Sequence, residues 1–125
     1  MISIIDDDEC VRQAIQRLVR SLGYVVTSYG SAEEFLVSHQ INDTSCLITD
    51  VHLPGLSGFE LHRGLRAHGF AAPTIFVSGF ADDATRRKAL ACGAVGFLSK
   101  PFGKKSLIDC LKIALSRLSA DVVRH

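Results

Sequence analysis

Short apolar stretches recur along the chain and predict five β-strands. Each is four to six residues long and is followed by a segment long enough for a helix, which is typical of strands that alternate with helices. The stretches are ISII, YVVTSY, CLIT, TIFVS and VGFLS, which begin near residues 2, 24, 46, 74 and 95.

Two of the intervening segments carry an apolar stripe at helical spacing. Residues three or four apart lie on one face of a helix, so each stripe is expected to face a core. The stripes are Val11, Ile15, Leu18 and Leu22 in the first segment, and Leu107, Leu111, Leu115 and Leu118 in the last.

Other residues mark where helices begin and end. Two pairs have the spacing of a capping box, in which each side chain satisfies a free amide at a helix start. A glycine follows three helical segments, where a left-handed residue ends a helix at little cost. The pairs are Ser31 with Glu34 and Ser57 with Glu60, and the glycines are Gly23, Gly69 and Gly93.

The short connections between these elements decide the fold class. A strand, a helix and a second strand joined this tightly require parallel pairing with right-handed crossovers, and the helices then cover both faces of the sheet. The predicted fold is a (βα)5, doubly wound, three-layer α/β sandwich.

The composition indicates one globular domain without a charge bias. The chain has 125 residues, of which 47% are hydrophobic and 22% charged, enough for one buried core. A formal charge of +1 gives no electrostatic reason to bind nucleic acid or an anionic membrane. Acidic residues begin at Asp6, and no apolar run approaches the roughly 18 residues of a membrane span, so neither a signal peptide nor a membrane anchor is predicted.

The cysteines and most of the histidines show no spacing that suggests a metal site. Zinc sites place cysteine and histidine ligands in close pairs, which this sequence does not offer. We interpret the cysteines as small packing residues of a reduced, cytosolic protein, and four histidines as surface residues. They are Cys10, Cys46, Cys92 and Cys110, and His39, His62, His68 and His125.

Polar residues follow four of the predicted strands. The carboxyl ends of parallel strands share one edge of the sheet, which is where such folds bind ligands. Taken singly, an aspartate after a strand is commonly a helix cap and a lysine before proline is commonly a surface residue, but their coincidence at one edge favours a site. They are Asp6, Asp7 and Asp8 after the first strand, Asp50 at the end of the third, Ser78 at the end of the fourth, and Lys100 after the fifth.

Carboxylates gathered at that edge need positive charge beside them. At about 5 Å and an effective dielectric constant of about 20, two carboxylates repel by roughly 3 kcal/mol. Lys100 supplies one positive charge, and a divalent ion would supply two more; Mg²⁺ suits oxygen ligands better than zinc does. A carboxylate beside Mg²⁺, a lysine and a hydroxyl is equipped to attack phosphorus, so phosphoryl transfer is the predicted chemistry.

Four motifs contain these strand ends. They are IIDDDECVR, LITDVHLPGLSG, TIFVSGFADD and VGFLSKPF, in this order along the chain. The combination resembles the receiver domain of two-component response regulators, and especially the FixJ type, from about Ile2 to about Leu118. The resemblance implies a flavodoxin-like or CheY-like sheet with strand order 2-1-3-4-5, and a receiver domain over residues 1–120 followed by a tail or linker over 121–125.

The resemblance implies roles for the acidic residues. Asp50 would accept a phosphoryl group from a sensor histidine kinase, in a signalling domain that catalyses its own phosphotransfer and slow dephosphorylation without being an enzyme. Mg²⁺ or Mn²⁺ would be bound by Asp7, Asp50 and the main-chain carbonyl of His52, with Asp6 acting mostly through water. Asp8 is interpreted as a helix cap.

On the fourth and fifth strands the resemblance implies a switch. Ser78 corresponds to a hydroxyl that turns toward the phosphoryl group, Phe97 to an aromatic that rotates with it, and Lys100 to the amine that pairs with the phosphoryl group. The bond between Lys100 and Pro101 would be cis. The surface of the fourth helix, fifth strand and fifth helix, roughly Asp82 to Leu118, would respond and become a homodimer interface.

The resemblance favours a cytoplasmic regulator of transcription. In the FixJ type a DNA-binding helix-turn-helix domain follows the receiver, and no residue of this chain is itself expected to contact DNA. The expected partners are a histidine kinase and a second copy of the chain, and no membrane is involved.

Three other functions fit parts of the pattern. A flavodoxin-like flavin binder needs a phosphate-binding loop after its first strand, where this chain has the repelling sequence DDDEC. A phosphatase of the haloacid dehalogenase type needs a second aspartate two residues after the first, where this chain has His52. The third possibility, a receiver that is never phosphorylated and acts only as an interaction module, stays open.

The roles of the His52 and Phe80 side chains also stay open. They either control the access of water to Asp50 or are ordinary surface residues.

Overall fold

Five strands alternate with five helices in the computed structural model, which describes residues 1–80 and 82–123, with side chains up to residue 116. The alternation predicted from the apolar pattern is confirmed. The strands are β1 (Ile2–Ile5), β2 (Val26–Tyr29), β3 (Cys46–Asp50), β4 (Thr74–Ser78) and β5 (Gly96–Ser99). The helices are α1 (Glu9–Ser21), α2 (Ala32–Leu36), α3 (Gly58–Ala67), α4 (Asp83–Ala91) and α5 (Lys104–Val123).

The described strands form one parallel sheet in the order β2-β1-β3-β4-β5, which is the implied order. β1 and β3 are neighbours at its centre, in register from Ile2 opposite Cys46 to Ile5 opposite Thr49. The residues that end these two strands therefore lie side by side at one edge of the sheet.

Helices α1 and α5 cover one face of the sheet. Leu107 and Leu111 of α5 are buried there, as predicted, and each such burial contributes about 1.5–3 kcal/mol relative to exposure. Leu115 is partly buried, and the side chain of Leu118 lies outside the described residues.

The stripe predicted in α1 is wrong at its last position. Val19 is fully buried, whereas Leu22 caps the helix and is 39% exposed. The chain turns away from the core at Gly23, whose φ of 94° ends the helix after Leu22.

Helices α2 and α3 cover the opposite face. Phe35 of α2 and Leu61 and Leu65 of α3 are buried against Ile5 and Leu47 of the sheet. α4 joins this face through a smaller cluster with α3 and β4, which comprises Val51, Phe59, Phe76 and Ala89. The three-layer arrangement predicted from the short connections is thus present.

The prediction that His62 is a surface residue is wrong. Its side chain lies in α3 against Phe76 of β4, with ring centroids 5.4 Å apart, and the residue is 2% exposed. Arg66 Nε donates a hydrogen bond of 3.1 Å to His62 Nε2. Burial, and then the charge of Arg66, lower the pKa of His62. Its neutral ring is accordingly part of the core.

The other histidines and the cysteines follow the sequence interpretation only in part. His39 and His68 are exposed, as predicted, whereas His125 lies outside the described residues. The interpretation of the cysteines as packing residues fails at Cys10, which is exposed on the first turn of α1. Cys46 is buried, and Cys92 and Cys110 are partly buried.

One predicted capping box is complete and the other is altered. Ser57 Oγ accepts from the amide of Glu60, and Glu60 Oε1 accepts from the amide of Ser57, both at 3.1 Å. Ser31 Oγ likewise accepts from the amide of Glu34, but the Glu34 carboxylate accepts from Gly30, one residue before the expected donor. The three predicted helix-ending glycines have positive φ angles of 94°, 89° and 85° at Gly23, Gly69 and Gly93.

Two element boundaries differ from the sequence pattern. β2 begins at Val26 rather than near residue 24, because the ladder starts opposite Ile2, the first residue of β1. α5 continues to Val123, so residues 121–123, expected to form a tail, are helical. The domain boundary at residue 120 stays a prediction. No helix in the described part of the chain has the length and hydropathy of a membrane span.

Candidate functional site

Two buried aspartates and a lysine meet at the carboxyl edge of the sheet. Asp6 directly follows β1, Asp50 is the last residue of β3, and Lys100 directly follows β5. Asp6 is 1% exposed and Asp50 is 5% exposed. Lys100 Nζ lies 2.7 Å from Asp50 Oδ2 and 3.0 Å from Asp6 Oδ2. The ammonium group therefore bridges two carboxylates that come from neighbouring strands.

The backbone directs Lys100 toward this edge. Its amide donates a 2.8 Å hydrogen bond to the carbonyl oxygen of Ser78, which extends the pairing of β4 and β5 by one step. The Lys100–Pro101 peptide bond is cis, as the resemblance implied.

Asp50 is held by the sheet and by the start of α3. It pairs with Val77 of β4 in the parallel ladder, and its Oδ1 accepts a 3.0 Å hydrogen bond from the amide of His52. The amide of Gly58 donates to the carbonyl of Val51 at 2.9 Å. A Cβ at Gly58 would collide with the carbonyl oxygen of Asp50, so only glycine fits where α3 begins.

The bridge between acid and base is reflected in the pKa values. Burial raises the pKa of Asp6, and the hydrogen bond from the amide of Asp8 and the contact with Lys100 offset this only in part. Burial lowers the pKa of Lys100, but the hydrogen bond to Asp50, the close contact with Asp6 and the charges of both carboxylates outweigh it, so the pKa of Lys100 is raised. The lysine is therefore charged at neutral pH.

The acidic edge has the donor set of a hard divalent cation. Asp6, Asp7 and Asp50 offer carboxylate oxygens that all lie within 4.8 Å of one another, with Asp7 exposed to solvent. Asp6 Oδ2 is buried and accepts no hydrogen bond; Lys100 Nζ is 3.0 Å away but outside hydrogen-bonding geometry. A buried carboxylate oxygen that accepts no hydrogen bond is costly, and cations beside it offset that cost. Oxygen donors with one side open to water fit Mg²⁺ or Mn²⁺.

Ser78 and Phe97 lie on neighbouring strands in different surroundings. Ser78 is fully buried, and its Oγ accepts a 3.0 Å hydrogen bond from the amide of Phe80. Phe97 is partly buried and packs against the cluster of Val51, Phe59, Phe76 and Ala89. The guanidinium carbon of Arg86 lies 5.0 Å from its ring centroid. The ring of Phe97 thus contacts α4.

His52 and Phe80 form an aromatic pair. Their ring centroids are 5.4 Å apart, with an interplanar angle of 87°, and Phe80 is 72% exposed. They belong to the loops after β3 and β4, so the pair lies at the rim of the carboxyl edge. The sequence placed each ring near the entrance but did not predict that they touch.

Two supporting residues were not predicted from the sequence. Arg12 Nη1 donates a 2.8 Å hydrogen bond to the carbonyl oxygen of Asp6, which ties α1 to the end of β1. Glu33 Oε2 accepts a 2.9 Å hydrogen bond from the amide of Leu56, in the loop after Asp50. Arg12 lies just after the acidic run, which was a usable signal. Glu33 is 23 residues from Leu56, and no local pattern indicates their contact.

Comparison with known families assigns this chain to one class of protein. The model of the response regulator receiver domain family matches residues 2–112, and the chain belongs to that family.

Particular relatives support the FixJ type. Nodulation protein W of Bradyrhizobium diazoefficiens is 39% identical over 117 residues, which are 94% of this chain and 52% of that protein. Transcriptional regulatory protein FixJ of Azorhizobium caulinodans is 37% identical over 116 residues, 93% of this chain and 55% of that protein. The crystal structure of FixJ-N has a TM-score of 0.80 and 33% identity over 90% of both chains. The chain thus spans about half the length of the curated relatives it matches.

Proposed function

We propose that Asp50 accepts a phosphoryl group from a sensor histidine kinase and that the modified domain controls an output, which we take to be transcription. The observation that carries the proposal is the buried Asp50 carboxylate, paired with Lys100 at 2.7 Å and flanked by Asp6 at the open edge of the sheet. A carboxylate with one oxygen held by an amine and one by a main-chain amide is fixed in place for attack.

The proposed step exchanges one bond to phosphorus for another. An oxygen of Asp50 forms a bond to the phosphorus of the donor phosphohistidine as the P–N bond breaks, and the imidazole leaves with that electron pair. Lys100 neutralises charge on the transferring group. Asp6, Asp7 and Asp50, with the main-chain carbonyl of His52, would hold Mg²⁺ or Mn²⁺. When bound, the ion supplies further positive charge to the phosphoryl oxygens.

The proposed response involves Ser78 and Phe97. Acyl phosphate on Asp50 brings added charge and acceptor oxygens, toward which the hydroxyl of Ser78 turns. This turn gives up the hydrogen bond from the amide of Phe80 and makes room for Phe97 to rotate inward. The response would reach the α4-β5-α5 face, where Leu90 is 59% exposed and Ile113 is 49% exposed. These apolar side chains suit a homodimer interface on that face.

The output is proposed from the relatives. The similar FixJ protein is named as a transcriptional regulatory protein, and this chain matches only about half of it. We therefore propose that residues 1–120 form a receiver domain of a cytoplasmic regulator, and that DNA is contacted only by a domain outside this chain.

Labelling by a small phosphodonor tests the proposal. We expect incubation with acetyl phosphate and Mg²⁺ to add one phosphoryl group, detected by intact mass. Hydroxylamine should cleave the label, because it attacks the acyl carbon of an acyl phosphate, forms a hydroxamate and releases phosphate. Asp50→Asn should abolish the label, while Asp43→Asn, at an exposed aspartate outside the site, should keep it. Label retained on Asp50→Asn would overturn the assignment. An unlabelled parent chain would favour the interaction module instead.

A further inference from the structure

Helix α4 is attached to the rest of the domain by few buried side chains. Ala89 is its one buried residue within the described range Asp83–Ala91. Two cationic side chains of α4 reach aromatic rings on other elements. Arg86 Cζ lies 5.0 Å from the ring centroid of Phe97 in β5, and Lys88 Nζ lies 5.0 Å from the ring centroid of Phe59 in α3. A cation at this distance from a ring is attracted by the negative charge of the ring face.

The rings of Phe59 and Phe97 differ in how tightly they are packed. Phe59 is buried and packs edge-on against Phe76, with ring centroids 4.8 Å apart, so it is fixed in the core. Phe97 is only partly buried, and in the proposed function it is the ring that rotates when Asp50 is phosphorylated. The contact of Arg86 therefore exists in one state of the switch, whereas that of Lys88 exists in both.

We propose that Arg86 is a positioning residue for the switch: its guanidinium group over the ring stabilises the unphosphorylated position of Phe97 and connects that position to α4. The inference rests on the proposed function, because it needs Phe97 to move. When the ring turns inward, α4 loses one of its two cation–π contacts, and the freed guanidinium joins the exposed surface of α4.

The direction of the effect follows from linkage. An interaction present in only one of two states shifts the equilibrium toward that state by its own free energy. The contact of Arg86 therefore opposes the phosphorylated conformation. Its removal should favour that conformation about two- to five-fold, which is the range corresponding to one exposed cation–π contact.

Beryllofluoride with Mg²⁺ provides the test, because it mimics an acyl phosphate without covalent chemistry. We expect Arg86→Gln to bind it about two- to five-fold more tightly than the parent chain, and Arg86→Lys to restore part of the difference. Arg87→Gln removes the same charge from a neighbouring exposed residue, and Lys88→Gln removes the other cation–π contact. Both controls should bind like the parent chain.

Two further measurements separate positioning from charge. In a Phe97→Ala background Arg86→Gln should no longer change the affinity, since the ring it acts on is absent. In the free protein, Arg86→Gln should shift the ring resonances of Phe97 in the NMR spectrum toward their beryllofluoride-bound values. Equal affinities for Arg86→Gln and Arg87→Gln would overturn the inference. If the parent chain does not bind beryllofluoride at all, the proposed function fails instead.

Discussion

The two sides of the site are packed differently. On the acceptor side, formed by β1, β3 and the loop after β3, the strands carry fully buried side chains such as Ile4 and Ile48. On the response side, formed by α4 and β5, the described part of α4 buries only Ala89 and leaves Leu90 59% exposed. Segments with few buried contacts open at low free-energy cost, whereas core strands open only when the whole domain unfolds. The proposed acceptor Asp50 thus lies in the more rigid part of the domain, and the proposed response involves the less tightly packed part.

Truncating one apolar side chain on each side should expose this difference most strongly. We expect Ile48→Ala to lower the free energy of unfolding by about 2–5 kcal/mol, because it leaves a cavity in the core. Leu90→Ala should lower it by about 0.5 kcal/mol or less, because the side chain is mostly in solvent. Urea denaturation followed by circular dichroism measures both values, and similar losses would refute the comparison.

Adding one methyl group at the start of α3 tests whether the acceptor side is rigid. Gly58→Ala forces a Cβ against the carbonyl oxygen of Asp50, and we expect it to lower the free energy of unfolding by about 1–3 kcal/mol and to slow labelling of Asp50. Gly64→Ala in the same helix is the control. A Cβ at Gly64 meets nothing within 4 Å, so we expect a gain of about 0.5–1 kcal/mol from helix propensity. An unaffected Gly58→Ala would mean that the acceptor loop adjusts easily.

The pH dependence of stability tests the core between the two sides, because Phe76 of β4, which lies between β3 and β5, packs against His62. The pKa of His62 is lowered by burial, so below its ordinary value of 6.5 the unfolded chain binds a proton that the folded chain does not. We expect the free energy of unfolding to be unaffected by the titration of His62 well above pH 6.5. It should decrease as the pH falls below 6.5, by at most about 1.4 kcal/mol per pH unit.

The variant His62→Gln isolates this contribution. Denaturation at several pH values between 5 and 8 gives the free energy of unfolding of the parent chain and of the variant as a function of pH. The effects of the other titrating groups cancel in the difference between the two slopes. Parallel curves would show that His62 is protonated equally in both states.

The fold could be predicted from the sequence because its signals lie in short stretches of the chain. The apolar runs gave the strands, and the serine, glutamate and glycine signals gave helix ends, since each depends on residues a few positions apart. The proximity of Asp6, Asp50 and Lys100 could also be predicted, because the carboxyl ends of parallel strands must share one edge of the sheet. Their individual roles came from resemblance and stay proposals.

The errors have physical reasons. His62 was assigned to the surface because histidine is polar, although it lies next to Leu61 and three residues after Phe59 on the inner side of α3. Arg66, one turn later, donates the hydrogen bond that makes this burial tolerable. The cation–π contact between Arg86 and Phe97 joins two elements through a turn, and no periodic pattern encodes it.

The place of Asp50 within the ladder has a practical consequence. Its backbone is paired with Val77, and the main chain that follows it is pressed against Gly58. Under the proposed function, we expect the backbone of Asp50 to keep its place in the ladder when a phosphoryl group is attached. A fluorophore or spin label on β3 should then give the same signal in both states. A label on α4, where only Ala89 is buried within Asp83–Ala91, should report the proposed response.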